Sequence, residues 1–78
     1  SLFPNPNNGS FTLELQSNTS NNISIDIYDI GGRKIHNQAY TNNGNFKQVI
    51  ELGNIESGLY LITVSDGQRK TTKRIIIK

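Results

Sequence analysis

Apolar and polar residues alternate along most of the chain. Phe11, Leu13 and Leu15 are separated by Thr12 and Glu14, and Ile23, Ile25 and Ile27 by Ser24 and Asp26. A period of two sends successive side chains to opposite faces, so each stretch predicts a strand with one buried face. Residues 33–40 alternate more weakly, with Ile35 and Ala39 as core candidates. Phe46, Ile50 and Leu52 fall on one face of the next stretch, and Tyr60, Ile62 and Val64 form another inward set. The last strand runs to Ile77, and Leu2-Phe3 is placed to add a short seventh. No segment has the 3.6-residue period of an amphipathic helix.

Turn-forming residues separate these runs: Asn7-Asn8-Gly9, Asn18 to Asn22, Gly31-Gly32, Asn42 to Asn45, Gly53 to Gly58, and Asp66-Gly67. No connection is long enough for a crossover helix, so neighbouring strands run antiparallel. The expected fold is an all-β antiparallel β-sandwich of six to seven short strands, filling residues 1–78 as one domain. Phe11, Leu13, Ile25, Leu52, Tyr60 and Ile62 are expected inside. One register conflicts with burial. A two-residue turn at Asp66-Gly67 sets Lys73 opposite Tyr60 and Thr71 opposite Ile62 on one face. Either Lys73 lies near the sheet's end or a bulge shifts the pairing. In both cases Ile75 and Ile77 share a face and Ile76 takes the other.

Composition narrows the chemistry. Twenty-six hydrophobic residues, seventeen of them Ile or Leu, suffice for a thin core but leave little for a deep pocket. With no cysteine there is no disulfide, no thiolate nucleophile and no Cys zinc site. The six carboxylates are scattered, and His36, the single histidine, sits on an expected outward face. No catalytic constellation, metal site or cofactor is expected. No apolar run approaches the roughly 18–20 residues of a membrane-spanning helix, so direct membrane insertion is not expected. Asn8, Asn18 and Asn22 each begin an Asn-x-Ser/Thr match, a coincidence in a chain with eleven asparagines.

Three segments stand out. Phe3-Pro4-Asn5-Pro6-Asn7-Asn8-Gly9 reads as an entry segment guarding an edge strand, because proline cannot donate to a ladder. Asp29-Ile30-Gly31-Gly32-Arg33-Lys34 reads as a tight hairpin in which Asp29 shapes the turn and pairs with Arg33. It lacks the Lys-Ser/Thr pair and following helix of a phosphate loop. Five of the eight basic residues, Arg69, Lys70, Lys73, Arg74 and Lys78, fall in the last ten positions. With no Trp and few aromatics, this cluster has no stacking platform for nucleic acid.

FPNPNNGSFTLEL, YDIGGRKI and SGLYLITVSDGQRKTTKRIIIK, in that order, resemble the type A C-terminal sorting domain of the type IX (Por) secretion system. The resemblance covers nearly the whole chain. It implies an immunoglobulin-like sandwich at the end of a secreted protein of a Gram-negative bacterium. The implied function is a non-catalytic signal that takes an upstream cargo in the same chain from the periplasm through an outer-membrane translocon. The implied partners are the type IX translocon and carrier components and a sortase-like cysteine peptidase. The implied destination is the outer membrane surface or the medium. The family's motifs fall on Pro4, Asn5 and Pro6 with Gly9, on Gly32 and Arg33, and on Gly58 and Tyr60. Its basic end falls on Lys73, Arg74 and Lys78. Together with Ile76, these last residues are the expected recognition surface. The rival reading is a cell-surface adhesion or carbohydrate-binding module, for which Tyr28 and Tyr40 are the available aromatics.

Overall fold

A computed structural model describes residues 2–16, 21–42 and 44–78. The expected Asn18-Thr19-Ser20 match, and parts of the turns at Asn18 to Asn22 and Asn42 to Asn45, lie outside the described residues. Among the described residues the elements are seven strands: β1 (Leu2–Phe3), β2 (Ser10–Gln16), β3 (Ile23–Asp29), β4 (Lys34–Tyr40), β5 (Asn45–Glu51), β6 (Gly58–Ser65) and β7 (Lys70–Ile77). Three form a sheet in the order β1-β2-β5, and four form a second in the order β4-β3-β6-β7. Every strand pair is antiparallel.

The alternation predicted from sequence builds the core. Phe11, Leu13, Phe46 and Ile50 point inward from the three-stranded sheet. Ile23, Ile25, Ile27, Tyr60, Ile62, Ile75 and Ile77 meet them from the four-stranded sheet. Removing these side chains from water is the main stabilising term in so small a domain. Ile76, between two buried neighbours, points the other way and is 47% exposed.

Four expectations need correction. Leu52 is half-buried rather than core, because it lies just past the end of β5, where its N–H donates to the Gly9 carbonyl at 2.8 Å. Ala39 is exposed and His36 is not outward. A register shift between Ile27 and Tyr28 pairs Ile27 with His36 but Tyr28 with Lys34. His36 therefore shares the inner face with Ile27, while Ala39 sits opposite Ser24 on the outer face. His36 Nε2 is buried with no hydrogen-bond partner among the described residues.

The fourth correction resolves the Lys73 conflict. The β6–β7 loop has four residues, not two, because Asp66 closes it: Asp66 Oδ1 accepts from the N–H groups of Gln68 (3.0 Å) and Arg69 (2.7 Å). Ser65 then pairs with Lys70, Tyr60 with Ile75 and Ile62 with Lys73. Two isoleucines thus reach the core at Ile75 and Ile77. Lys73 keeps an inner-face position opposite Ile62 on the edge strand but stays exposed.

Candidate functional site

The chain's singular segments converge on β7. Pro4 to Asn7 lies along its outer edge as a strap, and the Phe3–Pro4 and Asn5–Pro6 peptide bonds are both cis. Asn5 holds the strand through its side chain: Ile76 N–H donates to Asn5 Oδ1 at 2.9 Å, and Asn5 Nδ2 donates to the Arg74 carbonyl at 3.3 Å. A primary amide carries the same donor and acceptor as a peptide group, so it substitutes for a neighbouring strand. Asn7 continues with its backbone. Its N–H donates to the Ile76 carbonyl at 3.0 Å, and its carbonyl accepts from Lys78 N–H at 2.7 Å.

Asn7 is also the polar residue that sequence reading missed. It is 6% exposed. Its Nδ2 donates to the Pro4 carbonyl at 3.0 Å and its Oδ1 accepts from Gly9 N–H at 2.8 Å. All four of its polar groups are therefore bonded, which is what permits its burial. The available signal was the Asn-x-Gly spacing, since a side-chain oxygen reaches the N–H two residues on. Asn42 repeats the device, accepting from Gly44 N–H at 2.9 Å. Gly9 stands at φ +106°, and a Cβ there would lie 3.0 Å from the Gly53 carbonyl oxygen. Both the backbone angle and the close approach call for glycine.

Tyr60 and Gly58 adjoin the strapped end. Gly58 pairs with Ile77, which bridges to Asn7, and Tyr60 pairs with Ile75 on one side and Asp29 on the other. The Tyr60 ring is buried while its hydroxyl donates to the Glu56 carbonyl at 2.7 Å. A tyrosine near a strand start bonding a few residues upstream is the corner found in immunoglobulin-like sandwiches. Arg33 sits at the same end. Its N–H and Nε both donate to the Asp29 carboxylate, at 2.9 and 3.2 Å, as expected for that hairpin. Arg33, Gly58 and Tyr60 line one shallow groove of about 460 Å³. Motifs that lie far apart in sequence thus occupy one end of the sandwich.

The expected recognition residues do not share one face. Arg74 pairs with Leu61 and Ile76 with Leu59, so these form an outer-face group with Tyr28, which also pairs with Leu61. Lys73 points to the opposite side, where it rims a cleft of about 250 Å³ with Leu13, Leu15 and Val64. Among the described residues the ion pairs are Arg33–Asp29, Lys34–Asp26 and Lys47–Glu14, so the cations of β7 stay unpaired. No group of three or more potential metal ligands occurs among the described residues.

Comparison with known proteins gives the fold its context. The family model described as "Secretion system C-terminal sorting domain" matches residues 1–78. The chain belongs to that family. Its function is that of a sorting signal of type IX secretion. A curated relative, the endo-acting ulvan lyase of Formosa agariphila, is 36% identical over 78 residues. That match covers 99% of this chain but 14% of the lyase, so the chain spans a small part of that enzyme's length.

Tyr28 and Tyr40, the aromatics of the rival carbohydrate-binding reading, do not share a surface. Tyr28 lies on the outer face with Lys34 Nζ 5.8 Å from its ring centroid. Tyr40 pairs with Ile23 on the inner face and meets Phe46 edge-on at 5.8 Å. The two rings point to opposite sides of one sheet and cannot flank a common sugar. Desolvation by burial raises the pKa of the Tyr40 hydroxyl, in keeping with its inner position.

Proposed function

We propose that this domain is the non-catalytic sorting element of a longer secreted protein. It directs an upstream cargo from the periplasm through the outer-membrane type IX translocon. A sortase-like cysteine peptidase then removes the domain, leaving the cargo on the cell surface or in the medium. The observation that carries this reading is the sorting-domain match over the whole chain.

The geometry supports a role as a surface to be read. A carrier serving unrelated cargoes needs a feature common to all of them, and a small rigid sandwich supplies one. Lys73, Arg74, Ile76 and Lys78 are exposed on or just after an edge strand whose conformation is fixed by β6 and the strap. Unpaired cations there set orientation and on-rate for a carrier of opposite charge.

The test is a reporter enzyme with this domain fused behind it, expressed with a signal peptide in a bacterium that has type IX secretion. Surface or medium activity in those cells, and periplasmic retention in a translocon-deficient strain, is the expected result. Equal delivery in both strains contradicts it.

A further inference from the structure

We infer that the unstrapped half of the β7 edge, from Lys70 to Arg74, is a docking site for an extended, acidic segment of a partner protein, which adds to the sheet as a further strand. The strap covers only the second half of β7. Its hydrogen bonds engage the Arg74 carbonyl, both backbone groups of Ile76 and the N–H of Lys78, so even-numbered residues face the open edge. Period-two alternation turns the N–H and carbonyl of Thr72 and the N–H of Arg74 the same way. These groups have no partner among the described residues. An exposed row of backbone donors and acceptors is a template for another strand.

Charge selects the occupant. Lys70 and Arg74 project on the outer face, Lys73 on the inner one, all exposed and without an ion pair among the described residues. An added strand carrying carboxylates meets cations on both of its faces. Apolar side chains between the carboxylates meet Leu61 on the outer face and the Leu13, Leu15 and Val64 cleft beside Lys73 on the inner face. A second copy fits poorly: antiparallel pairing about Thr72 would set Arg74 of one chain opposite Lys70 of the other, and like charges in register repel.

This inference rests on the sorting reading for its purpose and on the edge alone for its chemistry. The test is an NMR titration of the ¹⁵N-labelled domain with a capped hexapeptide Glu-Glu-Val-Val-Glu-Glu, which puts carboxylates and a valine on each face of a strand, and with its counterpart carrying lysine in place of each glutamate. The expected result is shift changes and slowed amide exchange at Thr72 and Arg74 with the acidic peptide only. Thr72→Pro removes an edge N–H that β6 does not use. Lys73→Glu with Arg74→Glu keeps the backbone and reverses two charges, so it serves should the proline variant misfold. Each should weaken binding by about tenfold or more. Shifts confined to the β4 or β5 edge, equal binding of the lysine peptide, self-association through β7, or no shifts at all would overturn the inference. Reporter export by the parent domain is a separate readout. Its failure alongside intact peptide binding removes the sorting reading and leaves the docking site.

Discussion

The Asn5 side chain completes the edge of a strand 71 residues further along the sequence, taking the Ile76 N–H at 2.9 Å. With Arg74 as its acceptor, the amide behaves as one peptide unit of a missing strand. The segment that enters the domain is thereby fastened to the segment that ends the sheet.

Asn5→Ala should therefore speed amide exchange at Ile76 and leave Lys78, held by the Asn7 carbonyl, nearly unchanged. Asn7→Ala is the harsher change. It frees the Pro4 carbonyl and the Gly9 N–H in a buried setting and should cost about 1–3 kcal/mol. Exchange rates and thermal melts of the two variants check both statements. An Ile76 amide that exchanges at the parental rate in Asn5→Ala rules out the strap.

Tyr60→Phe keeps the ring in the core and deletes the hydroxyl that donates to the Glu56 carbonyl. The expected loss is about 0.5–1.5 kcal/mol, the usual net value of one hydrogen bond. Ile62→Ala, at a fully buried position on the same strand, should cost about 2–5 kcal/mol through lost burial and a residual cavity. Denaturant midpoints of the two variants should rank in that order. The reverse ranking contradicts the division between corner and core.

Gly58 stands at φ +155° with open space where a Cβ would go. The requirement is thus one of backbone conformation, not of fit. Gly58→Ala should cost about 1–3 kcal/mol, and Gly58→Val no less, since both put a Cβ on a backbone conformation that L side chains rarely adopt. A parental melting temperature for Gly58→Ala would mean that the strand start relaxes freely.

Much of the fold was legible because period-two alternation survives wherever one face is buried. It placed six strands, the inward Ile25 and Ile62, and the split between Ile75, Ile77 and the exposed Ile76. It misplaced Ala39 and His36 because a register shift at Ile27/Tyr28 resets the phase of β4, and alternation on an edge strand is weak. The β6–β7 register depended on Asp66 bonding two N–H groups, which makes a four-residue loop from what reads as a two-residue Asp-Gly turn. Asn7 was invisible to a hydrophobic pattern, since a polar residue is buried only when its partners are in place, and two of those, Ile76 and Lys78, lie on β7 and just after it. The meeting of Gly58, Tyr60, Arg33 and the strap at one end is a property of strand order, which spacing alone does not carry.

We propose that the folded domain is read at its last strand. Lys73→Glu, Arg74→Glu and Lys78→Glu together keep Ile75, Ile76 and Ile77, and all three side chains are exposed. Exposed charges contribute under about 1 kcal/mol each, so the variant should fold, and a thermal melt establishes that it does. The decisive measurement is the surface-to-periplasm ratio of a reporter carrying this variant against the parent domain. The folded variant should accumulate in the periplasm while the parent reaches the surface. Parental surface delivery of the folded, charge-reversed domain would contradict it.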